Sequence, residues 1–119
     1  AQVDFSVIQT FSFFQADRAQ LARFFAAAKS FGLEKPQDVS APTGVAHAYD
    51  LTHIVARAIN LAGSAEPSRV RQALENIPHH QGLIKRYQPP FTATRHEALG
   101  LEELLMARFR PDGVLAPAN

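Results

Sequence analysis

The sequence predicts an α/β chain: an opening strand, three amphipathic helices, then a set of short strands. Three observations carry this. Val, Ile, Phe and Thr crowd the first segment, Val3 to Phe14, and these residue types suit a pleated, largely buried strand. Apolar residues then recur at i, i+3 and i+4 in three separate stretches between Asp17 and Pro78. From Gly82 onward helical spacing stops, and turn residues separate short apolar runs.

Taken in order, the opening strand is expected to run from Val3 to about Gln9. An aromatic loop follows, Thr10-Phe11-Ser12-Phe13-Phe14. Asp17 stands where an N-cap belongs, because its carboxylate can accept from the free N–H groups of a first helical turn. Leu21, Phe24, Phe25, Ala28 and Phe31 then define an apolar helix face, and Gly32 supplies a C-terminal stop. The segment Glu34-Lys35-Pro36 reads as loop.

The second helix is the clearest. Leu51, Ile54, Val55, Ala58, Ile59 and Ala62 form its stripe, it begins near Pro42 or Thr43, and Gly63 ends it. Pro67 suits a first helical position, where its missing N–H is not needed. Val70, Ala73, Leu74 and Ile77 line a third helix, which Pro78 stops. Leu83 to Tyr87 reads as a short strand and Gln88 to Leu99 as a loop. Leu104 to Phe109 and Val114 to Ala116 are expected to pair as a hairpin around Arg110-Pro111-Asp112-Gly113. An opening strand buried on both faces belongs in a sheet with neighbours, so most of the sheet that these helices cover is expected to lie outside this chain.

Composition narrows the function. The 119 residues are enough for one domain; 46% are hydrophobic and 19% charged, which suits a chain with a buried core. The formal net charge is +1 and the basic residues are scattered, so nothing points to nucleic acid. There is no cysteine, hence no disulfide framework and no thiolate metal site. No apolar stretch reaches the roughly 20 residues that span a bilayer. The chain opens with Ala1 rather than Met, and the expectation is that something has been removed upstream or that the sequence starts inside a gene.

Chemistry-bearing patterns are sparse. Among the five histidines, His47 and His53 are six apart and His79 and His80 adjacent, so neither pair has the i, i+4 spacing of a helical zinc site. No serine sits in a nucleophile elbow, and Glu102 and Glu103 are adjacent rather than facing. The six glycines are dispersed, with no phosphate loop and no sign of a cofactor. Two features remain. Phe11, Phe13 and Phe14 are either core packing at a strand end or the apolar wall of a cleft. Ser40, Thr43 and Gly44 surround a helix N-terminus, which is either an ordinary cap or a place where free N–H groups meet a carboxylate. Tyr49 reads as a core aromatic, and Asp50 as a surface or hinge polar group.

The order of motifs carries a resemblance. Ala48-Tyr49-Asp50-Leu51, the helix to Ala58-Ile59, Ala62-Gly63-Ser64 and Val70-Arg71-Gln72-Ala73-Leu74-Glu75 together resemble the C-terminal part of type I periplasmic binding proteins. These are the substrate-binding components of ABC importers in the branched-chain amino acid class, the extracellular ligand-binding receptors. Gly82-Leu83-Ile84 is similar to that family's Gly-led strand start, and Gln9-Thr10-Phe11-Ser12-Phe13 to its segment leaving the second lobe. The likeness extends over nearly the whole chain and departs from the commonest pattern between Lys85 and Leu99.

The resemblance implies two α/β lobes joined at a hinge, with a small solute held in the cleft between them. It implies a non-catalytic, exported protein that works with an ABC permease in the membrane, in a chain about three times as long, a length that fits two lobes of ordinary size. Residues 1–16 would be a lobe-crossover strand and loop, 17–78 the helical part of the first lobe, and 79–119 the hinge return and C-terminal strands. It sets Thr43, Gly44 and His47 beside the cleft, with Phe11 and Phe13 next. Taken alone, the chain is then expected to self-associate through uncovered apolar faces. Two other readings stay open: a ligand-sensing module of a receptor or regulator with the same fold, and a small stand-alone α/β enzyme using His96 with Glu97.

Overall fold

In the computed structural model, which describes residues 3–118, the chain divides into two compact units. One is His47–Gly100; the other consists of the segments that flank it, up to Ala46 and from Leu101.

The flanking unit is built on a three-stranded antiparallel sheet. β1 (Ser6–Gln9) pairs with β4 (Leu105–Phe109), and β4 with β5 (Leu115–Pro117), so the order is β1-β4-β5. Val7 lies opposite Ala107, Ile8 opposite Met106, and Phe109 opposite Leu115. The expected hairpin therefore forms, closed by Gly113 at φ 81° and by the N–H of Arg110 donating to the carbonyl of Val114 at 2.8 Å. The opening strand is shorter than its composition suggests and is not buried on both faces. It sits at the sheet edge, and Ile8 is 63% exposed, because only Val7 and its row turn toward buried Ala107.

Helix α1 (Arg18–Ala28) starts at Asp17, whose Oδ1 accepts from the N–H groups of Ala19 and Gln20 at 3.0 and 3.1 Å. It tightens into a 3-10 turn, Lys29–Phe31, and stops at Gly32, whose φ of 78° suits a residue with no Cβ. Phe24 and Ala28 are buried, but Phe31 is 82% exposed, since the tighter turn rotates it off the face that the helical spacing assigned to it. Pro36, the last residue of the expected loop Glu34-Lys35-Pro36, opens a further 3-10 turn, Pro36–Asp38.

Helix α2 (Pro42–Ala62) begins at the expected proline and ends at Gly63, φ 61°. Its burial is narrower than its apolar stripe. Ala46, Asp50, Ile54 and Ala58, one row at i+4 spacing, are buried, whereas Leu51, Val55 and Ile59 are exposed. Helix α3 (Pro67–Leu74) has Pro67 in its first turn and Glu66 as its cap. It ends at Leu74, short of Pro78, so Ile77 is buried from the segment after the helix rather than from its face. Ile54, Ala58, Ala73, Ile77 and Tyr87 make the core of this unit, with Val70, Leu74, Phe91 and Leu99 packed on it.

The expected strand from Leu83 to Tyr87 is instead a small hairpin, β2 (His80–Gln81) against β3 (Arg86–Tyr87). Leu83 and Ile84 occupy its turn because their N–H groups are taken by a side chain of α2. No helix among the described residues is long and apolar enough to cross a membrane.

Candidate functional site

Asp50 is a buried carboxylate held by three hydrogen bonds. It lies on the buried row of α2, four residues before Ile54, and is 1% exposed rather than at the surface or a hinge. Its Oδ1 accepts from Leu83 N at 2.6 Å; its Oδ2 accepts from Ile84 N at 3.0 Å and from the Tyr87 hydroxyl at 2.8 Å. Three donors satisfy a carboxylate removed from water, and no described side-chain polar atom that is fully buried lacks a partner. Gly82 lies directly against this group: a Cβ there would stand 2.5 Å from Asp50 Oδ2 and 2.7 Å from a Tyr87 ring carbon. The Asp50–Gly82–Tyr87 set thus fixes the turn onto α2, which is positioning and packing rather than reaction chemistry.

The expected solute contacts fall on two elements. Thr43 and Gly44 are in the first turn of α2, Thr43 half-buried and Gly44 exposed with open space where a Cβ would be. The Thr43 hydroxyl donates to Gln9 Oε1 at 2.6 Å, while Gln9 Nε2 donates to the carbonyl of Ile8 at 2.9 Å. Gln9, at the end of β1, was not singled out from the sequence; an amide directly after the apolar pair Val7-Ile8 is the signal that could have found it. His47 is half-buried one helical turn beyond Thr43.

Phe11 and Phe13 are both buried, and the structure brings them together with α1. Phe13 is 1% exposed; its ring meets Phe11 edge-on at 4.9 Å and lies 5.1 Å from Phe24 and 5.8 Å from Phe25. This is the core-packing alternative for the aromatic run. Phe14 is partly exposed beneath the Arg110 guanidinium, 5.9 Å from its ring centre.

The histidines are dispersed. His53 shares a hydrogen bond with the carbonyl of Tyr49 at 2.9 Å, and Arg57 donates to the carbonyl of His79 at 2.6 Å. His96 pairs with Glu75 Oε1 at 3.3 Å, not with Glu97, whose backbone carbonyl accepts from Arg95. The His96–Glu97 pairing that a small enzyme would need is therefore not formed. Arg71, Leu74, Glu75, Phe91 and His96 border a shallow depression of about 230 Å³. Among the described residues no group of three side chains is arranged to hold a metal ion. Glu66 is held below its ordinary value of 4.5 by the Ser68 hydroxyl and by the N–H groups of Ser68 and Arg69.

No family model matches the sequence, and no curated protein matches it. Among solved structures, the crystal structure of a periplasmic binding protein type 1 from Bordetella pertussis Tohama I superimposes on this chain with a TM-score of 0.71 and 24% sequence identity. The match covers 94% of this chain and 32% of that one. The fold is that of part of a type 1 periplasmic binding protein. The α/β order of strand, three helices and short strands is thus a recurring arrangement, and this chain spans about a third of the length of the structure it matches.

Proposed function

We propose that the chain is part of a solute-binding component of an ABC importer, without catalysis of its own. The observation that supports this is the superposition of 94% of the chain on a type 1 periplasmic binding protein. Under this reading a small solute, an amino acid or a related compound, is held between two lobes that close about a hinge, and the closed form is offered to a membrane permease on the periplasmic side. Residues 1–16 belong to a lobe crossover, 17–78 to the first lobe, and 79–119 to the hinge return and last strands.

The first turn of α2 is then the wall nearest the solute. Thr43 is oriented by Gln9, the bare Gly44 lets a ligand approach the backbone, and His47 adds a polar ring one turn later. Phe11 and Phe13 act behind this wall as a packed aromatic support, since neither presents an open face. Affinity in such a cleft comes from both walls, so this chain alone holds one share of the contacts.

The test starts with the length of the open reading frame. The complete gene product is then screened against amino acids, amides and aromatic acids by thermal shift and calorimetry. A solute that binds it should bind this chain at least about a hundredfold more weakly, a loss of roughly 2.7 kcal/mol. In the complete protein, Thr43→Val and His47→Ala should each weaken binding about tenfold. A gene product no longer than this chain, or one that binds none of the panel, would overturn the proposal.

A further inference from the structure

The hydroxyl of Thr43 has a single hydrogen, and its neighbours dictate where that hydrogen goes. Gln9 ends β1 and Thr43 stands in the first turn of α2; both lie in the flanking unit, and both are half-buried. One end of the Gln9 amide lies 2.9 Å from the carbonyl of Ile8, and the other lies 2.6 Å from Thr43 Oγ1. A backbone carbonyl can only accept, so the end that meets it is the NH2 group. The amide oxygen is then the end that faces Thr43. That oxygen has no hydrogen to give, so the hydroxyl donates.

What remains on Thr43 follows by counting. A hydroxyl carries one donor hydrogen and two lone pairs. With the hydrogen held by Gln9, Oγ1 offers lone pairs alone. An ester or carboxylate oxygen set against it meets lone pair with lone pair, so the group that fits is a donor. An ammonium has the hydrogens but meets the partial positive charge of a helix N-terminus. A hydroxyl fits in one orientation only, since it has lone pairs of its own. A carboxamide N–H avoids all three objections. Gly44, the next residue, has open space where a side chain would stand, so nothing there crowds such a group.

We infer that Gln9 makes Thr43 an acceptor-only contact, and that the solute presents a carboxamide N–H to Thr43 Oγ1. This rests on the solute-binding reading and adds to it the chemistry of one point of the ligand. Thr43 is the residue that sets the preference, and Gln9 is a positioning residue that acts through it.

The test uses the complete protein and uncharged pairs that differ at the donor: acetamide against methyl acetate, glutamine against glutamate γ-methyl ester, and benzamide against methyl benzoate, each by calorimetry. The amide of a bound pair should bind about tenfold more tightly than its ester, the size of effect expected from one hydrogen bond. Thr43→Val should erase that preference, and Thr43→Ser, which keeps the hydroxyl, should preserve it. Gln9→Leu should shift the preference toward the ester, because the released hydrogen can turn to an acceptor; a residue that merely packed would weaken both members of a pair alike. Circular dichroism and melting of each variant check that it is folded. An ester bound as tightly as its amide, Thr43→Val keeping the preference, Gln9→Leu weakening both members alike, or binding of other solutes but of none of these amides would overturn the inference and leave the solute-binding reading intact. A complete protein that binds no solute at all would overturn both.

Discussion

Asp50 and Tyr87, 37 positions apart in the chain, share a buried hydrogen bond of 2.8 Å, and the same carboxylate also takes two backbone N–H groups of the intervening turn. Removing the carboxylate takes away the acceptor that the Leu83 and Ile84 N–H groups and the Tyr87 hydroxyl share in a buried place. Asp50→Ala should therefore destabilise the fold by roughly 2–5 kcal/mol, and Tyr87→Phe by about 1.5–3 kcal/mol. The double variant should lose less than the sum, because the two share one interaction. Urea denaturation midpoints check both; strict additivity would show that the pair is not coupled.

Gly82 gives a sharper case. Its φ is unremarkable, so its requirement is one of space: a Cβ would press on Asp50 Oδ2 at 2.5 Å and Cγ at 2.7 Å, and neither can retreat without breaking the three hydrogen bonds of that carboxylate. Gly82→Ala should cost about 1–3 kcal/mol, the usual range for overpacking. The same change at Gly44, where nothing lies within 4 Å of the added carbon, should be neutral or mildly stabilising. Equal effects at the two positions in denaturation experiments would contradict this.

Phe13 and Phe31 make a matched pair of aromatic truncations. Phe13→Ala removes the ring at the centre of the contacts with Phe11, Phe24 and Phe25 and should destabilise by about 3–5 kcal/mol. Phe31→Ala removes a ring that is largely in water and should change stability by no more than about 0.5 kcal/mol. Thermal and denaturant unfolding of the two variants, side by side, tests whether burial or helical spacing decides.

Glu66 sets a dependence on acid. Its carboxylate is lowered from 4.5 by the Ser68 hydroxyl and two backbone N–H groups at the start of α3. A group whose folded value is depressed contributes stability above its unfolded value and loses it as pH falls through the folded one. The stability difference between wild type and Glu66→Gln should hold above pH 4.5 and shrink below it. Denaturation series at several pH values read this directly; a difference that does not vary with pH would refute the assignment.

Helix existence and limits were largely legible in the sequence because local chemistry sets them. Asp17 caps α1, Gly32 and Gly63 take the positive φ that ends a helix, and Pro67 opens α3. The late hairpin was legible for the same reason, in its Arg110–Gly113 turn. What opposes an element was not. Periodicity gave α2 a wide apolar side, yet only the row through Asp50, Ile54 and Ala58 is covered, since spacing records which residues are apolar and not what faces them. Leu83 and Ile84 look like strand residues, but a carboxylate 33 and 34 positions earlier holds their N–H groups in a turn. Of the proposed site, Thr43 could be named from its place at a helix start, whereas Gln9, to which it donates, is 34 positions away and joined only by the fold.

The pairing of β1 with β4 has a consequence for the order of assembly. Arg108 donates to the Ser6 hydroxyl across 102 positions, so β1 finds its neighbour only after the whole intervening segment is present. The His47–Gly100 unit closes over much shorter separations, as the Asp50 bonds show. Contacts between distant residues form slowly because a large loop must close before they repay it. During synthesis, then, the inserted middle segment should gain protection from hydrogen exchange first. The strand Ser6–Gln9 must wait, unpaired, until Leu105–Phe109 has been made.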